Sequence, residues 1–282
     1  MQEKENENRA RLSKKAWQAE LSSKSIKKRE KYRILDFLIS DCRGKYCMEI
    51  GAETGVITDY LKKNKGGRWI AGTLTKKWYD ICLQFTKGDV TQINPGAIDF
   101  KSSTFEIVLA SRPEHIRDDD KFFREVYRIL KPQGELFILT PHIHRGLFLN
   151  SLKEKIGLTL ERYDHYRPGY NGKALQDKLE RIGFEIIKKG SYCGLFSEFI
   201  ELMINASYAY FSQKKAKVQG GEGPIDFSYR PGSQEDITQN KLSFKLYSLI
   251  FPLFLAISKL DYLLFSTQGY VLYLQARKVG KY

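Results

Sequence analysis

The 282-residue chain carries 47 Lys and Arg against 33 Asp and Glu, a formal net charge of +14. Its hydrophobic fraction of 42% supplies a core for one large domain, or for one domain with an insertion. A mean hydropathy of −0.43 excludes a multi-span membrane protein, and the charge surplus favours anionic partners: nucleic acid, phospholipid headgroups or an acidic substrate.

Residues 1–31 read as a polar, Lys/Arg-rich arm, a solvated and frayed helix with Trp17 and Leu21 as sparse anchors. The arm lacks the apolar region of a secretory signal, and no segment reaches the ~20 apolar residues of a spanning helix. A firmer helix is predicted over residues 32–39. Next, Tyr46–Ile50 is a short apolar strand that breaks into a glycine turn and resumes at helical spacing from Val56 to Lys62. Residues 69–74 form a second candidate strand, and residues 78–85 a helix. The run FEIVLAS at 105–111 is nearly all apolar, as expected of a strand buried on both faces. An amphipathic helix over residues 121–130 stops at a Lys-Pro-Gln-Gly turn before a strand at 135–140. Residues 174–182 repeat the helical pattern, closed by Gly183, and residues 184–188 begin another strand.

Strands alternating with helices predict a mostly parallel sheet covered on both faces. The alternation then lapses. Residues 194–211 read as a helix, 212–240 as a Gly/Lys/Gln-rich loop, and 241–265 as a strongly apolar stretch containing Pro252. Residues 270–274 alternate again as a last strand. The expected organisation is a basic arm (1–31), a domain made of 32–193 plus 266–282, and a helical insertion (194–265). Two roles fit the insertion: a cap over the pocket lined by Phe196, Phe199, Tyr208, Tyr210, Phe251 and Phe254, or an element lying on an anionic membrane surface.

Cys42, Cys47, Cys82 and Cys193 lack CxxC or Cys/His metal spacing, so reduced thiols in a cytoplasmic protein are expected and no metal is assigned. Glu114 and the run Asp118, Asp119 and Asp120 stand just before a helix, where acids favour its dipole. The basic clusters Lys14-Lys15, Lys27-Lys28-Arg29 and Lys31-Arg33 lack the aromatic interleaving of nucleic-acid readers, which disfavours that partner.

The segment Glu49-Ile-Gly51-Ala-Glu53-Thr-Gly55 marks the carboxyl end of the first strand, where ligands bind in open α/β sheets. Two glycines permit close approach of a ligand to backbone, and two carboxylates suit a cationic ligand better than a pyrophosphate. A plain strand-to-helix turn is the alternative. Four histidines, His115, His142, His144 and His165, are candidate general bases.

Three segments, KYCMEIGAETGVITDYL (45–61), FEIVLASRPEHIRDDDKFFREVYRILKPQGELFIL (105–139) and YRPGYNGKALQDKLERIGFEI (166–186), resemble the class I S-adenosylmethionine-dependent methyltransferases, in particular the small-molecule type 11 group. That resemblance implies a Rossmann-like α/β fold: a seven-stranded, mostly parallel sheet with helices on both faces, the last strand antiparallel and a helical insertion before it. It implies S-adenosylmethionine as cofactor, held by Glu49, Gly51 and Gly55, with Ala110 and Ser111 lining the methyl-transfer pocket. His115 matches the family's Glu-His pair and is, with His142, a candidate base. His165, Arg167 and Tyr170 lie in a polar, aromatic loop suited to an acceptor. Two departures stand out. Glu53 replaces the middle glycine, and Thr73 replaces the acid that grips the ribose. Asn94, with Asp89 as the other candidate, takes the place of the aspartate that meets adenine. The function expected is methyl transfer to a small or lipid-like acceptor at oxygen, by a cytoplasmic protein that is peripheral on the inner face of a membrane in the second role of the insertion. A degenerate, membrane-associated scaffold is the alternative, favoured by Glu53 and Thr73.

Overall fold

In β1 (Tyr46–Ile50) every residue after the first is buried, and the parallel strand β4 (Phe105–Ala110) pairs with it from Cys47–Ile107 to Ile50–Ala110. Around this central pair the sheet runs in the order β3-β2-β1-β4-β5-β7-β6. Its remaining strands are β2 (Arg68–Thr73), β3 (Val90–Gln92), β5 (Leu130–Pro141), β6 (Phe184–Tyr192) and β7 (Val271–Lys278). Only β7 is antiparallel to its neighbours β5 and β6, as the resemblance implied. This computed structural model describes residues 24–86, 88–143, 149, 152, 165–204, 241–263 and 268–280.

Alternation along the buried strands divides the core into two layers. Met48, Ile50, Val108, Leu136 and Ile138 face α4 (Asp119–Ile129) and α5 (Gly172–Ile182), packing with Phe122, Phe123, Val126, Leu175 and Leu179. Cys47, Ile107, Leu109, Phe137 and Leu139 face the other way. They meet Ile34, Leu35 and Leu38 of α1 (Ile26–Leu38) and Leu61 of α2 (Val56–Lys65). Truncating a fully buried phenylalanine such as Phe122 to alanine typically costs about 3–5 kcal/mol. α3 (Lys76–Thr86) joins β2 to β3.

Three elements depart from expectation. The firm helix, expected from residue 32 after a frayed stretch, already begins at Ile26, because Ser25 caps it by accepting from the Lys28 backbone N–H at 3.3 Å. Strand β3 has only three residues, none of them fully buried, and so leaves little apolar signal. The predicted Lys131–Gly134 turn is an irregular opening of β5, with Gln133 at φ 64° and a register shift against β4.

The insertion contributes α6 (residues 195–204), α7 (Lys241–Ser258) and a short 3-10 segment, Lys259–Leu263. Asp261 caps α6, accepting from the backbone N–H groups of Phe196 at 2.7 Å and Ser197 at 3.0 Å. Ile200 of α6 and Phe251 of α7 close on Ile26 of α1. Phe251 is thus buried in helix packing, and Phe199 is half exposed. Lys27 reaches Glu198 at 2.7 Å, and Tyr262 donates to Glu30 at 3.3 Å. Part of the basic arm is thus a folded layer bound to the insertion. Tyr208, Tyr210, the predicted loop 212–240 and residues 1–23 lie outside the described residues.

Candidate active site

Strand order reverses between β1 and β4, which opens a crevice at their carboxyl ends. Glu49, the penultimate residue of β1, is buried there. Its two carboxylate oxygens accept from the Thr58 hydroxyl at 2.5 Å and the Ser111 hydroxyl at 2.7 Å. Burial raises its pKa above the usual carboxylate range, offset by these two hydroxyl bonds and by the Lys31 ammonium.

Beyond Glu49 the chain turns through Gly51 (φ 87°) and Gly55 (φ 74°), both in the left-handed region. The Gly51 and Ala52 N–H groups donate to the Gly72 carbonyl at 2.9 and 3.1 Å, tying the turn to the end of β2. At Gly55 a Cβ would stand 2.7 Å from both Cys82 Sγ and Thr86 Cγ2; at Gly51 it would meet the Arg112 Cβ at 3.1 Å. The glycines are required by the backbone and its neighbours before any ligand is considered.

Glu53, the departure from the family pattern, is answered by Arg112. Its guanidinium lies 2.5 Å from the Glu53 carboxylate and 3.1 Å from His115 Nε2. Lys31 of α1 shares this field. Burial and the neighbouring Arg112 lower its pKa to about 8, against the pull of Glu49, Glu53 and Glu114. Glu114 is buried and its pKa is raised by burial, opposed by Arg112 and by a hydrogen bond from the Thr140 hydroxyl at 3.0 Å.

The sequence-predicted residues divide. Glu49, Gly51, Gly55, Ala110, Ser111 and His115 gather at the crevice, with Asn94 just past the carboxyl end of β3. Asp89 precedes β3, at its amino end, and pairs with Lys62 at 2.6 Å, so it stands on the opposite edge of the sheet. Thr73 is fully buried and donates to the Thr91 carbonyl at 3.3 Å, which commits its hydroxyl within the β2–β3 pair. His142 is buried with Nδ1 2.9 Å from the Gly269 carbonyl, a position that secures the start of β7. Arg167 donates to the Ile116 and Arg117 carbonyls at 2.9 and 2.8 Å and pairs with Asp119. The Tyr170 hydroxyl also donates to Asp119, at 2.8 Å. These two brace the loop that carries His165 and turn their polar ends into the protein, away from an acceptor role. His144 lies outside the described residues.

Three residues escaped the sequence reading. Thr58 stands in the first turn of α2, where its hydroxyl falls on Glu49; Arg112 directly follows Ser111; and Lys31 was grouped with a solvated arm. A cavity of about 810 Å³ bordered by Asp36, Arg43, Lys63, Glu135, Lys188 and Gln275 shares no residue with this crevice.

A family model described as a methyltransferase domain matches residues 48–138, the stretch from β1 to β5 that holds Glu49, Gly51, Gly55, Ser111 and Glu114. The match spans about a third of the chain, and the seven-stranded sheet around it has the Rossmann-like α/β fold. Among solved structures, phosphoethanolamine N-methyltransferase 2 of Haemonchus contortus, in complex with S-adenosyl-L-methionine, matches with a TM-score of 0.56. It is 18% identical, over 89% of this chain and 53% of that one. The YcgJ protein of Bacillus subtilis matches at 0.51, with 15% identity over 86% of this chain and 95% of that one. The [4+2]-cyclase SpnF matches at 0.56, with 14% identity over 89% of this chain and 81% of that one. None of the curated proteins matches by sequence. At such identities the likeness shows the fold, and a cyclase among the matches illustrates that the fold alone does not fix the reaction. The crevice is therefore read further from its own residues.

Proposed function

We propose that this chain transfers a methyl group from S-adenosylmethionine to an oxygen of a small or lipid-like acceptor. The observation that carries this reading is the buried Glu49 carboxylate, locked by Thr58 and Ser111 beside two left-handed glycines at the strand-order reversal. A fixed carboxylate in a buried site recognises an ammonium group, and the glycine turn lets a ligand approach the backbone. Glu49, Gly51 and Gly55 would hold the amino-acid part of the donor, Asn94 the adenine, and Ala110 with Ser111 the wall beside the methyl group. When bound, the donor supplies an electrophilic methyl group on a sulfonium. The chain's own residues contribute position and a shielded field, which are the main levers for such a displacement.

Arg112 bears on the scaffold alternative. By neutralising Glu53 it removes the charge objection that this substitution raised. Thr73 remains a departure, since its hydroxyl is committed to Thr91. On the acceptor side, His142 is held by Gly269, and among the described residues His115 and His165, 4.5 Å apart between ring centres, are the imidazoles next to the crevice. Titration with S-adenosylhomocysteine tests the reading: saturable heat in the micromolar range is expected, and no heat at high micromolar ligand overturns it.

A second reading concerns the source of the acceptor. Leu249, Leu253 and Leu263 are 77%, 60% and 67% exposed on α7 and the segment after it. No helix among the described residues is long and apolar enough to cross a membrane. An exposed leucine row on a basic chain fits the interface of an anionic bilayer, where a peripheral enzyme meets a lipid-like acceptor. Flotation with phosphatidylserine-containing vesicles is expected to carry the protein upward, and Leu249→Ser with Leu253→Ser is expected to abolish it. Protein that stays wholly at the bottom of the gradient overturns this second reading.

A further inference from the structure

The acids ahead of α4 are not equivalent. Asp118 caps the helix by accepting from the Lys121 N–H at 3.0 Å, and Asp119 and Asp120 are engaged by Lys178 at 2.8 and 3.1 Å. Their positions are explained by helix capping and ion pairing. Glu114 stands apart. Its carboxylate lies with the ring nitrogens of His115 and His165 so that one ligand atom from each falls within 4.8 Å of the others.

Several bonds hold this trio together across fifty residues of sequence. The Tyr166 N–H donates to the Glu114 carbonyl at 3.0 Å, which clamps His165 against the Pro113–His115 turn. Arg167 and Tyr170 fasten the same loop to residues 116–119. Thr140 donates to Glu114 Oε2, while Oε1 lies 4.0 Å from His115 Nε2. A second hydrogen bond that orients a ligating carboxylate is a regular feature of metal centres.

We propose that Glu114, His115 and His165 form a binding site for a divalent transition metal at the acceptor edge of the crevice. Two imidazoles and one carboxylate suit zinc, manganese or ferrous iron, and three protein ligands leave positions open for an oxygen ligand. Ligand atoms about 2.0–2.2 Å from one ion stand closer together than the present trio, so binding requires modest side-chain rotation. It also requires Arg112 to yield His115 Nε2 while keeping its bond to Glu53. The open positions fit an acceptor whose hydroxyl coordinates the ion and loses its proton to water near neutral pH. That catalytic role rests on the proposed methyl transfer; metal binding does not.

The test is titration of the full chain, first stripped with a chelator, with Co²⁺ followed by visible absorption. One equivalent is expected to develop d–d bands, and Zn²⁺ is expected to displace it. His165→Ala, on a half-buried loop, is expected to weaken Co²⁺ binding at least tenfold with an unchanged circular dichroism spectrum. Glu114→Gln provides a second variant with the same expected direction. Absence of the bands, or bands of undiminished affinity in folded His165→Ala, overturns the metal site. Titration with S-adenosylhomocysteine on metal-stripped protein separates the two ideas: heat without cobalt bands removes the metal and spares the methyl-transfer reading, whereas cobalt bands without heat do the reverse.

Discussion

The two sides of the crevice are built differently. On the donor side, Glu49, the glycine turn, Thr58 and Ser111 come from two adjacent strands and the helix that follows the first, and their order is imposed by backbone geometry. On the proposed acceptor side, the Pro113–His115 turn and the 165–170 loop, and behind them α1 and α6, are joined by side chains reaching across 51 residues from Tyr170 to Asp119 and 171 from Lys27 to Glu198. A wall made of backbone tolerates few substitutions and keeps a local signature. A wall made of side-chain pairs is open to change, and each pair is a separate point at which the two sides can be uncoupled.

The sharpest way to break the donor side is Gly55→Val. A positive φ and a Cβ 2.7 Å from Cys82 Sγ and Thr86 Cγ2 leave the side chain no space. Denaturant unfolding is expected to show a loss of about 3 kcal/mol. A change below about 1 kcal/mol would show that the turn adapts and that its geometry is not imposed. Gly51→Val acts through Arg112 in the same manner, so a loss of cofactor affinity there would report on the backbone as well as on the ligand.

The acceptor side offers a smaller break at Lys27→Met. Glu198 is 1% exposed and Lys27 about a third exposed. Removing the ammonium leaves a buried carboxylate without this cation, at a cost of about 2 kcal/mol, less than for a fully buried pair. The loss is expected to be confined to α1 and the insertion: hydrogen exchange should quicken in residues 195–204 and 26–30 while β1 and β4 stay protected. Uniform quickening across the sheet would refute the separation of the two sides.

That contrast also explains what could be read from the residues alone. The sheet core was legible because FEIVLAS and the amphipathic 121–130 segment carry burial in their periodicity, and the turn was legible because glycine spacing is local. Strand β3 escaped because two half-buried residues and an exposed one carry no period. Lys27 and Lys31 were assigned to a solvated arm because charge runs usually are solvated; only the folded chain shows Glu198 against one and the Glu49–Glu53–Glu114 field against the other. Arg112 was hidden for the same reason, since nothing in Ser-Arg-Pro-Glu-His states that the guanidinium turns back to Glu53.

Arg112 is where the two sides touch, and a double-mutant cycle measures how strongly. Arg112→Ala leaves Glu53 without its guanidinium beside Glu49 and is expected to weaken S-adenosylhomocysteine about tenfold, or about 1.4 kcal/mol. Adding Glu53→Gly removes the stranded charge and is expected to restore most of the affinity. If the double variant binds as poorly as Arg112→Ala, the arginine acts on the ligand directly and not by neutralising Glu53.

The smallest effects are expected at the two residues whose polar groups are already committed away from the crevice. Thr73→Val removes a hydroxyl that bonds only the Thr91 carbonyl at 3.3 Å, and valine keeps its shape and its strand preference. Asp89→Asn dissolves a surface pair with Lys62 at the amino end of β3, a contact of the kind worth at most about 1 kcal/mol. Both variants are expected to bind S-adenosylhomocysteine within about threefold of the parent, whereas Asn94→Ala, at the carboxyl end of the same strand, is expected to lose more. A tenfold loss in Thr73→Val would mean that its hydroxyl leaves Thr91 for the ligand, and the donor side would then owe part of its affinity to a side chain after all.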